Sequence, residues 1–388
     1  MKNNLILGIF FAIALQAGEH RGLVIKPVAD LFGQPPTLKH ARNIPLAGTS
    51  SVCLRLHQLL FNETVEIVQE TSCAYQVRIS NLFYITQQNN KPQDTYWTLK
   101  ENILPIDQIP DTCAQSTYIP RAPDYGTQET TPFPIITLQK PWRSDILGKT
   151  FSAGTRFVCA GTKKGYYQAT VWHSKHQNVT QVSIPKSFCI ITPRSQKKAV
   201  KIYNQLLRKW AGMQEYIPYV WGGCSFTYTL PQSAMCKKIT DKDGTYYIIH
   251  EDTHEQKHGF DCAGLIARAA QIAGIPYYYK NTFTLAHYLK PLTDLKNLRE
   301  GDLIWIPGHV MAVAHIKKNT IIEARHYSHG YGKVHEIALE NVFKNIKTFA
   351  DLFEAVHNKS VLERLDHDGK PVQKIHEIKL LSIQSCWN

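Results

Sequence analysis

Residues Gly259 to Gly274 read GFDCAGLIARAAQIAG. Asp261 stands in a natural N-cap position, and Leu265, Ile266, Ala269, Ile272 and Ala273 form an apolar stripe at helical spacing. The stretch therefore predicts an amphipathic helix with Cys262 in its first turn. A thiol placed there meets unpaired amide N–H groups and the positive end of the helix dipole, which favour the thiolate and lower the cysteine pKa. Cysteine is also a common small core residue, so nucleophile and buried core group both stay open on this stretch alone.

Working outward, QKKAVKIYNQLLRKWAG puts Val200, Tyr203, Leu206, Leu207 and Trp210 on one helical face and stops at Gly212. YVWGG follows at Tyr219 to Gly223, and a polar insertion runs from Cys224 to His258. Beyond the cysteine helix, GDLIWIPGHVMAVAHI and TIIEA read as strands, giving a mixed α+β domain with its helix ahead of a mostly antiparallel sheet. A thiol enzyme needs a base. His309 opens the strand HVMAVAHI just after Pro307-Gly308, a place at the sheet edge from which an imidazole can take the cysteine proton. Glu323, on the next strand, is placed to fix the orientation of that ring.

YVWGG, FDCAGLI at Phe260 to Ile266, GDLIWI at Gly301 to Ile306 and GHV at Gly308 to Val310, in that order, resemble the NlpC/P60 family of papain-like cysteine peptidases. The pattern covers roughly Ser195 to Ala350. Family members with bacterial SH3-like domains ahead of the catalytic domain are the more similar ones. The resemblance implies a γ-D-glutamyl-L-diamino acid endopeptidase acting on peptidoglycan stem peptides or muropeptides, with no metal or organic cofactor, and a first barrel that restricts substrates to those with a free N-terminal L-Ala. It also implies Cys262 as nucleophile, His309 as general base and Glu323 as the third, orienting residue. Tyr219, Asp261 and Thr282 match substrate-pocket positions, and Glu63 and Tyr96 are their expected counterparts on the first barrel. The chain departs from the family where Glu323 replaces the usual His, with His326 and His329 nearby as substitutes, and where Ala263 replaces the Ser after the nucleophile. A carboxylate in that place is expected to raise the His309 pKa. The insertion before Asp261 and the tail after Phe353 are longer than usual. The departures leave a catalytically silent wall-binding protein, or a related thiol amidase or acyltransferase, as rival readings.

At 388 residues the chain needs several cores, and a domain per roughly 100–200 residues gives two to four. Residues 1–18 have the layout of an export signal whose apolar run is too short for a confident membrane span. Short strand-like runs with polar turns fill residues 19–112 and again 135–194, each read as a small β barrel that the resemblance makes SH3-like, joined by a Pro- and Thr-rich linker at 113–134. The peptidase domain then takes residues 195–388. The net charge of +13 comes from scattered Lys and Arg, which excludes the concentrated basic face of a nucleic-acid binder. Nine cysteines leave one unpaired if the rest form disulfides, with Cys159–Cys189 and Cys224–Cys236 as local pairs; all can equally be reduced. His250-Glu251-Asp252-Thr253-His254 matches the zinc-peptidase H-E-x-x-H, but HEDTHEQKHG offers no apolar back for a buried helix, so a solvated loop is expected. An exported monomer is the sum of these expectations.

Overall fold

Alternation writes the upstream strands: in Thr64–Glu70, Val65 and Ile67 turn inward while Thr64 and Glu66 do not. The computed structural model describes residues 20–42, 44–49, 53–80, 82–86, 91–109, 118–120, 134–173, 177–193, 195–234, 236–249 and 258–387. The expected export signal, the HEDTH run and most of the linker lie outside these residues.

The first block holds β1 (Arg21–Val24), β2 (Val28–Phe32), the short α1 (Leu38–Arg42), β3 (Ala47–Gly48), β4 (Arg55–Leu60), β5 (Thr64–Glu70), β6 (Ala74–Arg78), β7 (Thr95–Leu99) and β8 (Ile103–Pro105). Seven of these strands form one sheet, ordered β4-β2-β7-β6-β5-β1-β8. The second block holds β9 (Ile135–Leu138), β10 (Trp142–Ser144), β11 (Lys149–Phe151), β12 (Arg156–Lys163), β13 (Tyr166–His173), β14 (Asn178–Pro185) and β15 (Cys189–Ile191), of which five form the sheet β14-β13-β12-β9-β15. Among the described residues, neither sheet's end strands pair with each other, so the pairings form open ladders rather than closed barrels. Each block still buries its own apolar face, around Leu31, Val65 and Tyr96 in the first and Phe151, Phe157 and Ile184 in the second.

The third block opens with α2 (Gln196–Ala211), capped by Ser195 and ending at Gly212. Its buried face is Ala199, Tyr203, Leu206, Leu207 and Trp210, with Val200 only half buried. Then come β16 (Cys224–Ser225), β17 (Cys236–Asp241), β18 (Gly244–Ile249), β19 (Gly259–Phe260), α3 (Cys262–Ala273) and α4 (Thr282–Tyr288). The remaining elements are β20 (Leu303–Ile306), β21 (His309–His315), β22 (Thr320–Arg325), β23 (Lys333–Ala338), α5 (Phe349–His357), β24 (Leu362–Leu365), β25 (Pro371–Ile375) and β26 (Lys379–Leu381). The central sheet, β23-β22-β21-β20-β26, is antiparallel, and the C-terminal tail supplies its edge strand. One face of this sheet packs on α2 and α3 through Val310, Ala312, Ile322 and Ala324. The opposite face packs Met311, Val313 and Ile321 with Phe349 and Leu352 of α5. No helix among the described residues is long and apolar enough to cross a membrane.

The polar insertion is not a loop throughout. Its strands β17 and β18 form a hairpin closed by the two-residue turn Lys242-Asp243, with Asp241 opposite Gly244, and β18 pairs with β3 of the first block, Tyr246 opposite Gly48 and Tyr247 opposite Ala47. All eight cysteines among the described residues are free, so neither expected local disulfide is made. The Cys224 thiol instead donates to the Gly264 carbonyl at 3.4 Å, and the Cys159 thiol to the Gly161 carbonyl at 3.2 Å.

Helix α3 is buried on nearly every side and is stopped by Gly274, whose φ of 79° is a left-handed conformation that glycine adopts without strain. Its start is stitched to YVWGG. The Val220 amide donates to the Phe260 carbonyl at 3.0 Å and the Asp261 amide to the Gly223 carbonyl at 3.0 Å. The approach is so close that a Cβ on Gly264 would lie 1.9 Å from the Gly223 carbonyl oxygen. Alanine would gain about 1 kcal/mol of helix propensity, yet a clash with fixed backbone costs more. Gly264→Ala is expected to lose about 2 kcal/mol of stability or more in urea unfolding followed by tryptophan fluorescence; a change under about 0.5 kcal/mol would show that the helix start is free to shift.

Candidate active site

The N-terminus of α3 lies against the opening of β21, where Val310 faces Cys262. β21 is the middle strand of five rather than an edge, and the two-residue turn Pro307-Gly308 sets His309 at its end. The Val310 and Ala263 amides face the sulfur of Cys262 and favour its thiolate, which places it near the opening of β21. His309 Nε2 is 2.6 Å from Glu323 Oε2, leaving Nδ1 as the ring nitrogen outside that bond. His326 and His329 do not take that place: His326 Nδ1 accepts from the Ser328 amide at 2.9 Å, and its ring packs on Tyr219 and Tyr247.

Glu323 is the hub of a buried polar cluster. Its Oε2 also accepts from Arg364 Nη2 at 2.7 Å, and its Oε1 lies 3.3 Å from His335 Nε2 and 3.6 Å from Arg325 Nη1. Burial alone would raise the Glu323 pKa, but Arg364, His309 and His335 together hold it well below the usual carboxylate range.

The electrostatics run against two expectations. Burial pushes the Cys262 thiol up to about 12, helped by the Asp261 carboxylate; the two amides and the Lys280 cation only partly oppose it. Burial also pushes His309 down to about 4, with Arg364 assisting and the Glu323 hydrogen bond opposing. Helix-dipole stabilisation and a neighbouring carboxylate were the local signals, and desolvation outweighs both. At neutral pH Cys262 is therefore an uncharged thiol and His309 an uncharged imidazole.

Asp261 is occupied structurally. Its Oδ1 accepts from the Gly264 amide, as the N-cap expectation requires, and its Oδ2 from the Gly222 amide at 3.1 Å. Burial raises its pKa, with Lys280 and the two amides opposing. Tyr219 is buried beside Cys262, its ring edge-on to His326 at 5.2 Å. Thr282 opens α4, accepts the Trp305 indole N–H on its carbonyl at 2.8 Å, and lines a cleft of about 630 Å³. Trp305, Phe283, Gly308 and, from the first block, Ile85 and Thr86 line the same cleft, which reaches the turn just before His309 and is lined by neither His309 nor Cys262.

The two residues expected from the first barrel are placed elsewhere. Glu63 pairs with Arg268 at 3.1 Å and accepts from the Leu60 amide. Arg268 lies six residues beyond Cys262 on α3, about 9 Å along the axis, so Glu63 clamps the back of the helix over a separate cavity of about 70 Å³. Tyr96 is fully buried in the core of the first block, its hydroxyl turned to the Leu82 carbonyl. The physical reason is register: Tyr96 lies on the inward-facing side of β7, and the turn carrying Glu63 packs against the back of α3 rather than its start.

Lys280, His335 and Arg364 escaped the sequence reading. Lys280 follows the tyrosine run Tyr277–Tyr279, is buried, and faces Asp261 and Cys262 electrostatically. His335 stands directly opposite Glu323 in the β22–β23 register, a signal available once both strands are aligned.

No protein-family model matches the chain, and no curated protein does. Among solved structures, the peptidoglycan hydrolase RipB from Mycobacterium tuberculosis aligns at 21% identity over 37% of this chain and 62% of that one, with a TM-score of 0.24, a likeness too slight to carry an argument. An NlpC/P60 family protein from Bacillus cereus ATCC 10987 aligns at 15% identity over 82% of this chain and 94% of that one, with a TM-score of 0.52. That coverage extends well upstream of Ser195, so the likeness is one of overall fold: mixed α+β, resembling the NlpC/P60 fold, with sheets ahead of the helix that carries Cys262.

Proposed function

We propose that the chain is an exported cysteine endopeptidase that hydrolyses the γ-D-Glu to diamino-acid bond of peptidoglycan stem peptides. The observation that supports this best is the His309–Glu323 pair at 2.6 Å at the opening of β21, whose next residue, Val310, turns its amide to Cys262 at a helix start in an NlpC/P60-like fold. In this reading Cys262 attacks the γ-carbonyl as its proton passes to His309, and a backbone N–H at the start of α3 stabilises the oxyanion. His309 then protonates the leaving amine, and water releases the acyl-enzyme. Tyr219 and Thr282 line the substrate groove, and the two upstream sheets serve as SH3-like modules. Preference for a free N-terminal L-Ala rests on Asp261, since Glu63 and Tyr96 lie away from Cys262.

Burial and the raised pKa of Cys262 favour a second reading, a silent wall-binding protein. Incubation with L-Ala-γ-D-Glu-diaminopimelate, followed by mass spectrometry, separates the two. Release of free diaminopimelate is the expected result, with slower release from the N-acetylated tripeptide; an untouched tripeptide would favour the binder.

A further inference from the structure

The tail beyond Phe353 reaches back to the candidate site. β24 pairs with β25, Arg364 opposite Gln373, and a bridge between Phe343 and Arg364 ties it to the body of the block. This backbone anchoring delivers the Arg364 side chain, itself buried, to the same Glu323 oxygen that binds His309. We propose that Arg364 is a positioning residue of the site: its guanidinium fixes the Glu323 carboxylate so that Oε2 holds the Nε2–H tautomer of His309, leaving Nδ1 to act on the Cys262 thiol. The inference rests on the reading of Cys262 and His309 as nucleophile and base.

A buried carboxylate facing only an imidazole has two ways to relieve its desolvation: it takes a proton, or it draws the ring into the imidazolium form. Either ends its use as an orienting acceptor for a neutral base. A guanidinium supplies permanent countercharge without exchanging a proton, and its fork holds a carboxylate in one orientation. The other cation in the cluster is less suited to this. Arg325 lies 3.6 Å from Oε1, donates to the Leu365 carbonyl, and rests its guanidinium over the Tyr331 ring at 4.6 Å. The groups facing this carboxylate and its partners are thus His309 from β21, Arg325 from β22, His335 from β23, Arg364 from β24, and His329, Tyr331 and Asp366 from the connecting loops.

The test is imidazole nitrogen NMR of the full-length protein labelled in histidine, with His309 assigned by loss of its signal in His309→Gln. The wild type is expected to show His309 as the Nε2–H tautomer at pH 7, taking up a proton only well below pH 6. In Arg364→Gln the midpoint is expected to rise by a pH unit or more, and kcat for the tripeptide to fall at least tenfold while KM changes less than twofold. Arg364→Lys, which restores the charge, is expected to return the midpoint towards the wild-type value. A residue that served packing alone would lower the melting temperature without moving the His309 midpoint, and an unmoved midpoint in folded Arg364→Gln would overturn the proposal. An Nδ1–H tautomer in the wild type would overturn it whether or not the variants fold. Failure of the wild type to cleave the tripeptide would sink the peptidase reading, while the titration, which needs no substrate, still decides the role of Arg364.

Discussion

Cys262→Ala is expected to lower tripeptide hydrolysis by roughly ten-thousandfold or more, because the remaining groups can bind and polarise the substrate but have nothing to form the acyl bond with. The same thiol should be a poor nucleophile in the resting protein. With Cys262 pushed up to about 12 and His309 down to about 4, the thiolate–imidazolium pair is disfavoured from both sides, and attack must be coupled to proton transfer once substrate excludes water. Iodoacetamide labelling of Cys262, read by peptide mapping, is therefore expected to be slow at pH 7 and to accelerate by about tenfold per pH unit between 8 and 10. Labelling that is already fast and pH-independent below 7 would show a resting ion pair and contradict this picture. The activity profile carries the same sign. An imidazole acts as base only when neutral, so in the proposed reaction, with His309 as base, the acidic limb of kcat/KM is expected near pH 4 rather than near the ordinary histidine value.

Local signals carried the reading of the helices. The cap at Asp261, the apolar stripe behind Cys262 and the glycine after Ala273 each act within a turn or two, and α3 runs between them as those residues dictate. The strand carrying His309 was legible for a similar reason, since Pro307-Gly308 between two apolar runs is a turn whatever lies around it. The hairpin of β17 and β18 carries a weaker local signal: its turn is Lys242-Asp243 with Gly244 already paired to Asp241, so the Asp-Gly pair sits one residue off the turn, among surrounding lysines.

What stayed hidden depends on distance along the chain and on burial. Arg364 lies 41 residues from Glu323 and sits in LERL, where alternation alone does not say whether an arginine faces water or a buried carboxylate. The directions of the Cys262 and His309 pKa shifts could not be read from the helix dipole or the neighbouring carboxylate, because desolvation is a property of the whole packed interface. Glu63 and Tyr96 show the converse. The family resemblance suggested them for a substrate pocket, although a strand-turn Glu and a strand Tyr are more often structural, and the docking of the first block on α3 shows one as a clamp on Arg268 and the other as core.

Glu323→Gln is expected to destabilise the fold by about 3–5 kcal/mol at pH 7, among the largest effects of any single substitution in this chain. The side chain keeps its volume and can still accept from His309, so neither a cavity nor a lost contact is the cause. The loss is of charge: Arg364 and Arg325 remain buried with no anion at 2.7 and 3.6 Å. The dependence on pH follows from the sign of the Glu323 shift. Its folded pKa is depressed, so its contribution is fully present above the unfolded value of roughly 4.5 and is lost as pH falls through the folded one. His309 adds a separate acid sensitivity, because a ring with a folded pKa near 4 resists the proton that the unfolded chain accepts below about 6.5. Wild-type stability should thus decline from pH 6.5 downward, while the gap between wild type and Glu323→Gln holds steady to about pH 4.5 and narrows below it. Urea unfolding at pH 7, 5.5 and 4 measures both curves. A gap below about 1 kcal/mol at pH 7 would mean that the two arginines find other partners or water, and that Glu323 is less the anchor of this cluster than its four neighbours suggest.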